Sequence, residues 1–116
     1  MKSIENIEVG DIFAENYGNN ANFGVEISKM LTLSTCHITE ETANRLSKDP
    51  DDNNLGLCVY PKAGYGYYIA VTDDIAEEHL PDDLKRVIRF AAFMDCQTLC
   101  LDCDGSVCDF LPTYDW

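Results

Sequence analysis

Along Met30-Leu-Thr-Leu-Ser-Thr-Cys36 apolar and hydroxyl side chains largely alternate, and a period of two places successive side chains on opposite faces of a half-buried strand. Thr39 then offers a side-chain oxygen to the free N–H groups of a short helix over residues 40–48, with Glu40 and Glu41 at the positive end of its dipole. Asp49-Pro-Asp-Asp-Asn-Asn54 stops that helix, because proline lacks the N–H and Asx side chains favour turns. Residues 55–60 and 67–71 read as two strands around a loop, 61–66, long enough for a hairpin. The strongest helical pattern covers residues 81–94. Pro81 suits the first helical position and Asp82 and Asp83 the first turn. Leu84, Val87, Ile88, Ala91 and Met94 draw one apolar stripe, widened by Phe90 and Phe93, while Lys85, Arg86 and Arg89 take most of the opposite face. Residues 98–103 form the next strand, Asp104-Gly105 is a turn pair, and residues 107–111 can return as a final strand.

The order from Met30 onward is β-α-β-β-α-β, which predicts an α+β fold: a ferredoxin-like sandwich with two helices over one face of an antiparallel sheet. At 116 residues the chain suits one domain. The core spans 30–116, and residues 1–29 are an N-terminal extension or hairpin whose Asn16-Tyr-Gly-Asn-Asn-Ala-Asn-Phe-Gly24 collects turn formers. Alternation puts Leu31, Leu33, Leu57, Val59, Ile69, Val71, Leu99 and Leu101 toward the helices. Thr32, Ser34, Cys58, Tyr60, Tyr68, Cys100 and Asp102 then share the other face, either a partner surface or the seat of the N-terminal segment and the Phe110, Tyr114, Trp116 tail.

Charge changes the picture of partners. With 21 Asp and Glu against 8 Lys and Arg the net charge is -13. Nucleic-acid binding draws on cations that neutralise phosphates, so direct DNA or RNA binding is disfavoured, as is an anionic membrane surface. The same field favours a basic protein surface. Asp73, Asp74, Glu77, Glu78, Asp82 and Asp83 fall within eleven residues that hold no Lys or Arg, and could imitate a phosphate track. Tyr60, Tyr65 and Tyr68, with Trp116 from the tail, suit an interface because they bury area while keeping a polar tip, whereas Tyr67 belongs to the core by parity. These ten residues are the predicted partner-binding set, and a basic nucleic-acid-handling protein of the host is the predicted partner.

No apolar run of signal-peptide or membrane-span length occurs at the start or later, so a cytoplasmic protein with reduced thiols is expected. Leu99-Cys-Leu-Asp-Cys-Asp-Gly-Ser106 resembles the nucleophile motif of haloacid-dehalogenase phosphatases, which implies Asp102 as nucleophile, Asp104 as acid and base, and magnesium beside them. Those enzymes need further motifs downstream, and only ten residues follow Ser106, so a strand running into an Asp-Gly hairpin turn is the expected reading. Cys96, Cys100, Cys103 and Cys108 have the spacing of a four-thiolate metal site, but Cys100 and Cys103 would point to opposite faces of a strand. His37 reads as a strand-end residue bonding locally, and His79 as a solvated side chain before the long helix. No cofactor, metal or catalytic residue is expected. A small metal-binding module or phosphohydrolase on Asp102 and Asp104 is the alternative.

Ser34-Thr-Cys-His-Ile-Thr-Glu-Glu-Thr-Ala43, Gly56-Leu-Cys-Val-Tyr-Pro61, Tyr65-Gly-Tyr-Tyr-Ile-Ala-Val71, Leu80-Pro-Asp-Asp-Leu-Lys85 and Leu111-Pro-Thr-Tyr-Asp-Trp116 together resemble a small bacterial family of unknown function carried on plasmids, prophages and integrative elements. The resemblance covers residues 30–116. It implies the setting of mobile-element accessory proteins that disarm host defence, including acidic antirestriction and anti-CRISPR proteins. The expected function is a non-enzymatic acidic inhibitor or adaptor, with an antitoxin-like regulatory partner as a further alternative.

Overall fold

The computed structural model describes residues 24–48 and 54–116; residues 1–23 of the expected N-terminal extension, and the turn at 49–53, lie outside them. Strand β1 is Met30–Ser34 and helix α1 is Glu40–Leu46. The hairpin strands are β2, Val59–Lys62, and β3, Gly66–Ala70. Helix α2 is Asp82–Phe93 and strand β4 is Thr98–Asp102. The predicted β-α-β-β-α-β order is therefore present. No helix among the described residues is long and apolar enough to cross a membrane.

Local chemistry accounts for the boundaries. β1 ends two residues short of the predicted span because Ser34 Oγ accepts the Cys36 N–H at 3.1 Å and tips residues Thr35–His37 into a 3-10 turn. Thr39 caps α1, its Oγ1 accepting the Thr42 N–H at 3.2 Å. The β2–β3 turn closes through Tyr65 N–H to Lys62 O at 2.7 Å, with Ala63 at φ 40° and Gly64 at φ 84° both left-handed in the three-residue loop between the paired Lys62 and Gly66. Helix α2 ends in a Schellman motif: Cys96 N–H reaches Ala91 O and Asp95 N–H reaches Ala92 O, both at 2.9 Å, around Asp95 at φ 61°.

The four strands form one sheet in the order β1-β4-β3-β2. β2 pairs antiparallel with β3 and β3 with β4, but β1 pairs parallel to β4 with Leu31 level with Leu99 and Leu33 with Leu101. The sheet is mixed, which corrects the expected all-antiparallel arrangement. It also departs from a split β-α-β: β1 and β2 lie on opposite edges, and β3 and β4 are direct neighbours. β4 thus has both sides occupied. For that reason residues 107–111 do not return as a strand, and the Asp-Gly turn, closed by Gly105 N–H to Asp102 O at 2.8 Å, carries the chain across the end of β1, where Ser106 O accepts the Ser34 N–H at 2.7 Å. Gly66 allows β3 and β4 to meet closely, since a Cβ there would lie 1.7 Å from the Leu101 carbonyl oxygen.

Leu33, Leu57, Ile69, Leu99 and Leu101 are buried in one core with Leu84, Val87, Ile88 and Ala91 of α2, and Leu31, Val59, Tyr67 and Val71 pack against it. Each fully buried Leu or Ile contributes about 1.5–3 kcal/mol. Phe93 and Met94, expected on the apolar stripe, are exposed. Phe93 lies nine residues beyond Leu84, half a turn away at 100° per residue.

Candidate functional site

The acidic segment leaves β3 at Ala70 and runs beside α2 toward its N-terminus, so its six acids experience different surroundings. Asp83 is 7% exposed and accepts the Thr39 N–H at 2.8 Å and the Thr42 hydroxyl at 2.9 Å, tying α2 to the start of α1. Glu77 receives both Arg89 Nε at 2.9 Å and Arg89 Nη2 at 2.6 Å. That fork holds the Glu77 carboxyl below its usual range and the guanidinium above its own. Asp73, Asp74, Glu78 and Asp82 are exposed. Two adjoining hollows of about 430 and 450 Å³ share Val71, Thr72, Asp73 and Ala92. Together they make one groove beside α2, with Val71, Ile75, Ile88 and Ala92 offering apolar surface, and Asp73, Glu78, Asp95 and the paired Glu77 and Arg89 lining it with charge.

The tyrosines lie elsewhere. Thr32, Cys100, Tyr68 and Tyr60 are level across β1, β4, β3 and β2 and form one row on the face away from the core. Tyr60 and Tyr65 are exposed, and Tyr68 is half-buried under Lys62, whose ammonium stands 5.6 Å from its ring centroid. Tyr67 points the other way, its hydroxyl bonding Ala43 O at 3.1 Å and Ser47 Oγ at 2.6 Å, as parity predicts. Tyr65 sits at the Gly66 end of β3 and the acidic segment starts at the Ala70 end, about 15 Å along the strand. The predicted partner set is thus scattered: Asp73, Glu77 and Glu78 line the groove on the helix side, Tyr60 and Tyr68 lie on the other face of the sheet, Asp83 is buried, and Trp116 sits on the tail.

In the next row along the strands Lys62 forms an ion pair with Asp102, and its Nζ lies 3.7 Å from the buried Cys100 Sγ. The Lys62 bond, then the Asp104 N–H to Asp102 Oδ1 at 2.8 Å, hold the Asp102 carboxyl below its usual range, and the same pair raises Lys62. Ligand atoms of Asp102, Cys103 and Asp104 lie within 4.8 Å of one another. Both Asp102 oxygens already accept a hydrogen bond, so an incoming cation would compete with the Lys62 ammonium. The cysteines do not converge as a set of four: Cys96 precedes β4 and Cys103 follows it, about 20 Å apart along an extended strand.

His37 was invisible to sequence reasoning as a tertiary anchor. It is 1% exposed, and instead of bonding locally it grips the C-terminal segment with both ring nitrogens. Nδ1 lies 2.8 Å from Pro112 O, and Nε2 lies 2.8 Å from Cys108 N. The partners settle the tautomer: a carbonyl only accepts and an amide N–H only donates, so Nδ1 carries the hydrogen and Nε2 the lone pair. Tyr114 N–H to Cys36 O and the Trp116 indole N–H to Ile38 O, both 2.8 Å, continue the seam. Trp116, placed in the partner set by sequence, remains 54% exposed beyond that bond.

Residues 30–116 match the model of a family of unknown function, DUF5983, C-terminal domain. No curated protein matches the chain. No solved structure matches it either.

Proposed function

We propose, for a chain that belongs over residues 30–116 to this family of unknown function, a non-enzymatic binding module that holds a basic segment of another protein in the groove beside α2. The observation that supports it is the lining of that groove: the carboxylates of Asp73, Glu78 and Asp95, beside the Glu77–Arg89 pair, around the apolar surface of Val71, Ile75, Ile88 and Ala92. A Lys or Arg side chain has the matching division, an aliphatic stem below a cationic head. A net charge of -13 would speed encounter with a basic protein and repel nucleic acid itself. The partner in this reading is a basic nucleic-acid-handling protein of the host. The role is that of a mobile-element inhibitor or adaptor acting against defence, of the antirestriction or anti-CRISPR kind, by occupying a groove meant for phosphates. An antitoxin-like regulator would use the same surface on a different target.

The test is affinity capture from a host lysate at about 0.05 and 0.5 M salt, with Asp73→Lys/Asp74→Lys/Glu78→Lys beside the wild type. Screening shortens the reach of exposed charges from over 10 Å to a few, so captured proteins should elute at high salt and bind the variant at least tenfold more weakly. Binding indifferent to both salt and charge reversal rejects the proposal. A second reading, a small metal-binding module or phosphohydrolase, is favoured by the Asp102, Cys103, Asp104 cluster alone. Calorimetry with zinc and with magnesium decides it, because absence of binding by either ion ends that reading.

A further inference from the structure

The seam between His37 and the C-terminal segment carries a consequence for acid conditions. Closure requires a lone pair at Nε2, facing the Cys108 N–H, and a hydrogen at Nδ1, facing Pro112 O. A second proton on the ring would set an Nε2–H against an amide N–H at a donor-to-donor distance of 2.8 Å, in a site that is 1% exposed. The closed seam and the imidazolium cation are therefore mutually exclusive. We infer that His37 is a pH-operated latch, and that its protonation releases residues 108–116 from the turn at 36–38.

The sign follows from linkage. The released state takes up a proton at His37 and the closed state does not, so closure is favoured at higher pH and lost as pH falls. Titratable or charged groups on the surrounding elements are Cys36 on the turn, Glu40 and Glu41 at the start of α1, Asp83 and Arg86 on α2, and Cys108, Asp109, Tyr114 and Asp115 on the tail. Neither ring nitrogen bonds to any of them, since both are taken by backbone groups. The carboxylates would favour the cation and Arg86, which reaches the Tyr114 hydroxyl at 3.4 Å, would oppose it. Release would break the indole N–H bond to Ile38 O and free the indole of Trp116, the single tryptophan of the chain.

Trp116 fluorescence, followed from pH 8 to 4.5 alongside far-ultraviolet circular dichroism, reads the tail separately from the fold. The expected result is an emission change as pH falls across this range while the circular dichroism holds. It should be abolished in His37→Gln and kept in His79→Gln, the other histidine. A transition retained in His37→Gln, or no transition in the wild type, overturns the inference. Should His37→Gln fail to fold, hydrogen exchange of the wild-type Cys108 amide gives the answer. Its protection factor should drop at least tenfold between pH 7.5 and 5, and constant protection overturns the inference.

Discussion

Replacing Asp83 with alanine separates an acid that supports the fold from the acids displayed around it. The carboxylate is buried and accepts the Thr39 N–H at 2.8 Å and the Thr42 hydroxyl at 2.9 Å. Hydrogen bonds to a charged group contribute about 1.5–3 kcal/mol each, and a buried donor left without a partner costs about 1–3 kcal/mol. The Thr42 hydroxyl can rotate, and water can reach the Thr39 N–H once the side chain is gone, so the loss for Asp83→Ala is about 3–5 kcal/mol. For a domain of this size that lowers Tm by roughly 10–20 °C. Asp83→Asn keeps the shape, with its amide oxygen toward Thr39 N–H and its NH₂ toward Thr42 Oγ1, and should lose only about 1–2 kcal/mol. Asp82→Ala, one residue away and exposed, should fall within about 0.5 kcal/mol of the wild type. Urea unfolding followed by circular dichroism measures all three. If Asp83→Ala unfolds no more readily than Asp82→Ala, the assignment of Asp83 as the tie between the helices is refuted.

Asp95 occupies the left-handed position after α2 at φ 61°, where a Cβ is unfavourable, so Asp95→Gly should raise stability by about 0.5–1 kcal/mol, visible as a higher urea midpoint; a lower midpoint would contradict it. Lys62 and the Asp104 N–H hold the Asp102 carboxyl below its unfolded range, so the unfolded chain binds the proton more readily. The resulting stability is present above about pH 4 and is lost as pH falls through the lower folded-state value. The gap in urea midpoint between wild type and Asp102→Asn should shrink from pH 5 toward pH 2, and a gap independent of pH would refute that.

Most element positions were legible because they rest on neighbours in the chain; β2 is the exception, running Val59–Lys62 where 55–60 was expected, because pairing with β3 and not local pattern sets its span. The alternation around Leu31 and Leu33, the Thr39 cap, and the stripe of Leu84, Val87, Ile88 and Ala91 each encode a local geometry and a buried face. Strand order was not legible, because alternation specifies which side chains point inward and is the same whether β1 lies parallel or antiparallel to its neighbour. Once the structure places β4 between β1 and β3, the Asp-Gly turn has no open edge to return along, and the tail goes instead to His37. The same tertiary choices divide the candidate surface: they turn Asp83 inward, bind Glu77 to Arg89 and put the tyrosine row on the opposite side of the sheet from the acidic groove. Composition alone determines that this protein carries an excess of negative charge. Which carboxylates face solvent and which hold the fold depends on contacts between residues tens of positions apart, and those exist only after the chain has folded.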